Sequence, residues 1–199
     1  MKLQIKYNKT VLREFQNKLK MRVKALPTLK NKEAALRSMV LDTRRKLGRA
    51  DENFRKVLEQ MDPWKALWNE FDFSLLQVRH VRVSRSKTAG ILIPLFEGIE
   101  AEIREFPLSV YPDWFSDGLP ELRRLLEVMA EKQILEERLE LLEQARKKAT
   151  QKVNLYEKVQ IPALESAIRQ IRRYLEDEDN LSKASQKLLK SKIKKAEPR

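Results

Sequence analysis

The sequence predicts a mostly α-helical protein, in which the N- and C-terminal segments form a long antiparallel two-helix coiled coil around a small middle head with a β-hairpin. Two long stretches repeat apolar residues at helical spacing, and a short stretch between them alternates instead. Only 4 of the 199 residues are glycine and 36% are charged, which favours an elongated helical chain over a thick globular core. The predicted segments are the first coiled-coil helix at 1–61, the head with a short helix and the hairpin at 62–118, the second coiled-coil helix at 119–195, and a basic tail end at 196–199.

The first helix is predicted by apolar residues that repeat in alternating steps of three and four. Such steps average 3.5 residues and keep one seam of a helix against a partner helix. Thr10 is the expected N-cap. Pro27 is expected to kink the helix or to divide it near Ala25, and Pro63 should stop it. The predicted seam of this helix comprises Leu12, Phe15, Leu19, Leu26, Leu29, Leu36, Val40, Leu47 and Phe54.

The head is predicted from a change of pattern after the first helix. Residues 78–83 alternate with a period of two, as in a half-exposed strand. The polar stretch 84–90 is turn-like, and residues 91–93 predict a second strand that Pro94 should end. Residues 99–103 predict a weaker third strand. We therefore expect a small β-hairpin in the head.

The second helix is expected to start near Leu119, with Pro120 in its first turn. Its seam slips in phase beside Pro162. A slip of this kind locally unwinds a coiled coil, and an interior proline removes one backbone hydrogen bond, so we expect a bend there and not an end. The predicted seam of this helix comprises Leu135, Leu139, Leu142, Val153, Tyr156, Leu164, Ile168, Ile171 and Leu175.

The net charge of +13 is concentrated at the two ends of the chain. Residues 1–32 hold ten Lys/Arg and one Glu, and residues 180–199 hold seven Lys/Arg and one Glu. In an antiparallel hairpin the two ends lie together, which predicts one strongly basic tip that meets an acidic or dipole-rich surface. The lysines assigned to this tip are Lys183, Lys187, Lys190, Lys192, Lys194 and Lys195.

Two other interpretations of the lysine-rich end stay open, a frayed tail and a nucleic-acid-binding segment. Nucleic-acid binding is the weaker of the two, because the tail lacks aromatic platforms for single strands and arginines that read bases. The acidic run 176–179 is expected to be a solvated stretch, since consecutive carboxylates on a helix point in different directions.

Catalytic and cofactor chemistry finds little support in the sequence. The four glycines are too dispersed for a phosphate-binding loop, and the chain has no cysteine and one histidine, His80. We therefore expect no cofactor, no metal site and no catalytic residue. Apolar runs fall short of the roughly 18 residues that a membrane span needs, so the protein is expected in the cytoplasm without membrane insertion.

Three stretches, in chain order, resemble the D subunit of the V/A-type rotary ATPases. Residues 152–165, KVNLYEKVQIPALE, are similar to the VNALE-like element and the following IP-x-LE element of that family. Residues 29–36 are similar to its LLKDKRDAL element, and residues 89–97 to its AGV-x-(L/V)PVF segment. Tyr156 and Asn31 depart from the family pattern, replacing a small and an acidic residue.

The resemblance implies a non-catalytic central stalk, the rotor shaft of a V-type ATPase or ATP synthase. Such a shaft transmits torque between ATP hydrolysis or synthesis in the A/B hexamer and ion transport, for example of hydrogen ions, through the membrane ring. It implies that the basic tip enters the cavity of the A and B subunits. It also implies that the head and mid-shaft bind the small F subunit, and that a connecting subunit links the far end to the ring. The protein would then lie at the membrane periphery. The alternative is a basic coiled-coil scaffold or nucleic-acid-binding protein.

Overall fold

A computed structural model of the protein describes residues 6–107 and 110–196, with side chains up to Lys192. Its elements are helix α1 (Lys9–Met61), strands β1 (Leu76–Thr88) and β2 (Ile91–Ile103), helix α2 (Phe115–Asn154), a π-helical turn (Leu155–Gln160) and helix α3 (Ile161–Ala196). Three short 3-10 turns lie between α1 and β1. The fold class is confirmed: long helices flank a two-stranded antiparallel hairpin.

The chain divides into two compact units. The terminal unit combines the chain up to Asn31 with the chain from Ala149 onward, and the central unit spans Lys32–Lys148. Each unit therefore contains a part of α1 and a part of the second helical run. Each is described below by itself.

Helix α1 is capped two residues earlier than the sequence predicted. The Asn8 side chain accepts a hydrogen bond from the backbone N–H of Val11 through Oδ1 at 2.7 Å, so Asn8 is the N-cap. Thr10 lies inside the first turn, and its assignment as the cap was wrong. Asparagine is at least as good a cap as threonine, and its position lets it reach the third helical N–H.

Helix α1 is continuous through Pro27, so the predicted division near Ala25 was wrong. Proline removes one intrahelical hydrogen bond and strains the preceding turn. The seam residues on either side, Leu26 and Leu29, are half-buried. Because most helix stability in proteins comes from packing an apolar face, one lost bond in a helix of 53 residues does not end it.

The hairpin is longer and simpler than the sequence predicted. Its register runs from Leu76 opposite Ile103 to Thr88 opposite Ile91, with two irregularities in the ladder. The two turn residues, Ala89 and Gly90, have φ values of +52° and +79°. Two successive positive φ angles match the right-handed twist of the flanking strands, which is why two residues are enough to reverse the chain.

Three details of the predicted head are corrected. Pro94 does not end a strand, because it pairs with Arg85 inside β2. Residues 99–103 belong to β2 and form no third strand, and residues 84–88 extend β1 instead of forming a turn. Each strand of a two-stranded sheet has a free edge, where a proline without an N–H can be accommodated.

The π-helical turn accounts for the phase slip in the second seam. The backbone N–H of Ile161 donates to the carbonyl oxygen of Tyr156, five residues earlier, so this turn holds one residue more than an α-helical turn. Pro162 follows directly and has no N–H, and its ring would clash with the carbonyl of Lys158 in a regular α-helix. The wider turn avoids this clash, and the helical run continues through Pro162 into α3.

Removing the extra residue of this turn is expected to be tolerated. Deletion of the exposed Val159, combined with Pro162→Ala, should turn the segment into regular α-helix and make the seam continuous, changing the free energy of unfolding by no more than about 1 kcal/mol. Deletion of Gln144, an exposed residue in α2, is the control. It rotates everything that follows by about 100° and should cost more than about 3 kcal/mol. Thermal unfolding followed by circular dichroism compares the two, and equal losses would contradict the explanation of the slip.

The head packs around an aromatic core. Phe71 and Phe115 are both buried, with their ring centroids 4.7 Å apart.

Asp72 begins the 3-10 turn that follows Phe71, and its carboxylate accepts hydrogen bonds from the Ser74 N–H at 2.9 Å and the Tyr111 hydroxyl at 3.3 Å. These hydrogen bonds, of which those from Ser74 have the largest effect, lower the pKa of Asp72 below its ordinary value of 3.8. The ionised form therefore stabilises the head above that pH, and the contribution is lost as pH falls through the lowered pKa.

Two helical glycines should respond to alanine in opposite directions. A Cβ at Gly118 would lie 3.1 Å from Cζ3 of Trp114 and 3.4 Å from Cε2 of Phe71, two rings that pack on each other. Gly118→Ala should therefore destabilise the protein by about 1–3 kcal/mol through overpacking. At Gly48 no atom lies within 4 Å, so Gly48→Ala should stabilise it by up to about 1 kcal/mol. Urea unfolding measures both, and a stabilising Gly118→Ala would contradict the packing of the head.

Candidate functional site

In the terminal unit, α1 and α3 close an apolar seam. Phe15 lies in a buried cluster with the residues of α3, and Ile171 is fully buried. Tyr7 and Tyr174 extend the contact, with ring centroids 4.8 Å apart. The structure brings together these residues of the predicted seam: Leu12, Phe15, Leu19, Leu164, Ile168, Ile171 and Leu175.

A polar layer interrupts this seam at the π-helical turn. The Arg22 Nε donates to Oε1 of Gln160 at 2.6 Å, and its guanidinium carbon lies 5.8 Å from the ring centroid of Tyr156. Lys30 and Glu157 form an ion pair at 2.7 Å. A polar pair inside an apolar seam favours one register over its neighbours, so these contacts fix how α1 meets the turn.

In the central unit, α1 and α2 close a second seam. Leu36 on α1 and Leu142 on α2 are both 0% exposed. The other predicted seam residues here are either buried or half-buried, namely Val40, Leu47, Phe54, Leu135 and Leu139. Complete burial of a leucine from each helix shows that the two apolar faces meet.

Polar pairs cross between α1 and α2 along this second seam. Lys132 lies 2.7 Å from Asp51 and 5.3 Å from the ring centroid of Phe54. The hydrogen bond to Asp51 raises the pKa of Lys132, so its ammonium form is favoured. Arg44 of α1 forms a second ion pair with Glu143 of α2. Since the earlier residue of α1 pairs with the later residue of α2, the two helices are antiparallel.

The C-terminal part of α3, residues 176–192, is a helix exposed on all sides, here called the tip helix. Its leucines are exposed, with Leu181 at 71% and Leu188 at 64%. No described residue forms an ion pair with Lys183, Lys187, Lys190 or Lys192. The side chains of Lys194 and Lys195 lie outside the described residues. The tip helix therefore presents ammonium groups without ion-pair partners and exposed apolar side chains together.

The hairpin faces α2 within the central unit, an arrangement that the sequence did not predict. A cavity of 410 Å³ lies between the two, lined on the hairpin by Val83, Leu92 and Pro94 and on α2 by Ile134 and Leu141. Both α2 residues are half-buried, lie outside the seam and are seven positions apart. A second apolar stripe of this kind is the signal that could have predicted a further packing partner for α2.

Within the described part of the chain, no cluster of three or more histidine, cysteine or acidic side chains is placed to hold a metal ion. No helix there is both long and apolar enough to cross a bilayer. The two closed seams and the tip helix are the candidate functional features.

Comparisons with known proteins agree on one family. The profile of the family of ATP synthase D subunits matches residues 11–191. The V-type ATP synthase D subunit of Borreliella burgdorferi is 31% identical over 191 residues, covering 95% of both chains. That of Chlamydia pneumoniae is 25% identical over 97% of this chain and 95% of its own. That of Chlamydia trachomatis serovar L2 is 26% identical over 97% and 98%.

Proposed function

The chain belongs to the family of ATP synthase D subunits, and we propose that it is the central stalk of a V-type ATP synthase, a non-catalytic shaft that transmits torque. The observation that carries this proposal is the closed antiparallel seam found in each unit. Leu36, Leu142 and Ile171 are fully buried between helices. Such a seam is suited to carrying force, not to binding a small substrate.

The seam explains how torque passes between the helices. Each buried side chain fits into a hole formed by the facing helix, so turning one helix drags the other. Polar pairs across the seam, such as Asp51–Lys132 and Arg22–Gln160, oppose sliding because a slip would separate them. A twist applied at one end of a seam is therefore carried along it.

Coupling to catalysis requires that the faces of the shaft differ. The lysines at 183, 187 and 190 occupy one face of the tip helix, while Leu181 and Leu188 occupy another. A shaft with unlike faces can favour a different conformation in each surrounding subunit, and rotation shifts these preferences in turn. We propose that the tip helix presents its two faces to the A and B subunits of the hexamer.

The remaining partners follow from the same proposal. The hairpin and the head would contact the F subunit and the connecting subunit that leads to the membrane ring. The exposed head residues Trp64 and Phe73 supply apolar surface for such contacts. This arrangement would place the protein on the cytoplasmic face of the membrane as a peripheral component.

Co-purification tests the assignment directly. The tagged full-length chain is expressed with the A, B and F subunits of its own complex and recovered through the tag. We expect all of them in a stoichiometric complex, and recovery of the chain alone would contradict the proposal. Electrophoretic shift of duplex DNA by the purified chain tests the alternative. A steep fall of binding with salt would support nucleic-acid binding instead, since several phosphate contacts would be releasing counterions.

A further inference from the structure

An apolar stripe on α3 continues past the point where α1 covers it. Ala167, Tyr174, Leu181 and Leu188 follow one another at seven-residue intervals, a spacing that keeps them on one side of a helix. Ala167 belongs to the buried cluster of the terminal unit, and Tyr174 packs on Tyr7 with about half of its surface exposed. Leu181 and Leu188 are exposed. The stripe therefore starts inside a helix–helix seam and ends on an uncovered helix.

A helix with such a stripe is suited to pairing with another helix. Short helices are marginally stable in water, and most helix stability in proteins comes from packing an apolar face. The tip helix spans about 25 Å at 1.5 Å per residue. Ala184 follows Leu181 by three residues and precedes Leu188 by four, the alternating steps of a coiled-coil seam. The tip helix thus carries a short seam of its own, without a partner among the described residues.

The charges of the tip helix indicate which helix fits it. The acidic run 176–179 precedes the short seam, and the lysines at 183, 187, 190 and 192 lie beside and beyond it. Neither set forms an ion pair with a described residue. Glu178 and Lys192 are two seven-residue steps apart, so they flank the stripe on the same side. A helix with the opposite order of charge would complement this surface, and the tip helix itself has that order when its direction is reversed.

We propose that the tip helix is a homodimerisation surface, on which two copies of this chain pair in antiparallel orientation. The two-fold axis lies near Ala184, so that Leu181 of each copy meets Leu188 of the other. The same alignment places Glu178 of each copy opposite Lys192 of the other, whereas parallel pairing would oppose like charges. The inference goes beyond the proposed function and does not depend on it, because it concerns the chain without other subunits.

Sedimentation equilibrium of the purified full-length chain measures the association. We expect a monomer–dimer equilibrium whose dissociation constant increases with salt concentration, because surface ion pairs are screened. Leu188→Ser should raise the dissociation constant at least about tenfold, since each dimer loses two leucine contacts. Leu189→Ser is the matched control and should leave it unchanged. Leu189 is 61% exposed but points about 100° away from Leu188 around the helix.

Cysteine cross-linking tests the antiparallel direction. The sequence has no cysteine, so Ala184→Cys gives each copy a single thiol near the axis. Two such thiols should form a disulfide on mild oxidation, because their Cα atoms can approach within about 7 Å. Asp177→Cys, one seven-residue step earlier, is the control. In an antiparallel dimer its two copies lie about 20 Å apart and should not cross-link, whereas a parallel dimer would join both variants equally.

Three results would overturn the proposal. A chain that stays monomeric at low salt up to about 1 mM has no homodimerisation surface, and its exposed stripe is left to a different protein. Equal weakening by Leu188→Ser and Leu189→Ser would show that the stripe is not the contact. Equal cross-linking through positions 177 and 184 would exclude the antiparallel arrangement.

Discussion

Leu142→Asp is expected to lower the free energy of unfolding by more than about 4 kcal/mol, a large part of the roughly 5–15 kcal/mol of an ordinary domain. Leu142 is 0% exposed in the seam between α1 and α2. Loss of the leucine side chain leaves a cavity, which alone costs about 2–5 kcal/mol. The introduced carboxylate adds a further cost, because it would be buried without a cationic partner. Leu36→Asp, on the facing helix, should behave alike because Leu36 is also 0% exposed. Urea unfolding of the full-length chain measures both.

A matched leucine controls for the chemistry of the substitution. Leu41 lies on α1 close to Leu36 but is 51% exposed. Leu41→Asp should change the free energy of unfolding by no more than about 0.5 kcal/mol, as surface changes usually do. Equal losses at Leu36 and Leu41 would show that α1 does not bury the face assigned to the seam.

Reversing the charge of the tip helix is expected to disrupt assembly. The triple change Lys187→Glu, Lys190→Glu and Lys194→Glu replaces three cations with three anions on one helical face. If the face meets carboxylates or helix C-termini of the hexamer, attraction becomes repulsion, and affinity should fall about a hundredfold at low salt. Sedimentation of the chain with the A and B subunits over a range of salt concentrations measures this loss.

The control for the tip uses lysines elsewhere on the same helical run. Lys147, Lys148 and Lys152 are exposed, and their change to Glu alters the net charge by the same amount. Assembly should be affected less by this set than by the tip set. Because surface charges are screened by salt, the difference should shrink as ionic strength rises. If the tip substitutions leave the affinity for the A and B subunits unchanged at every salt concentration, an electrostatic role for the tip helix is excluded.

The fold class could be read from the sequence because a 3.5-residue repeat leaves few alternatives. The repeat of three- and four-residue steps along α1 also passes through two polar residues, Arg22 and Thr43, and these are half-buried and buried. A repeat of this kind survives occasional polar positions, since the neighbouring apolar residues determine which face is buried. The hairpin was predictable from its alternation for a similar reason.

The errors fell where local and tertiary effects compete. Pro27 and Pro94 are breakers by their own chemistry, yet packing carries α1 past the first and a free sheet edge accommodates the second. The predicted slip near Pro162 identified a discontinuity, but only the three-dimensional structure could show that a π-helical turn absorbs it.

Rotation of this chain inside the assembled complex tests the central claim most directly. The sequence has no cysteine, so Glu70→Cys in the head provides a single attachment point for a bead. The A and B subunits are immobilised, ATP is added, and the bead is followed by microscopy. A central shaft should turn in steps in one direction, and only while ATP is hydrolysed. A bead that stays fixed on a complex that contains this chain and hydrolyses ATP would contradict the assignment.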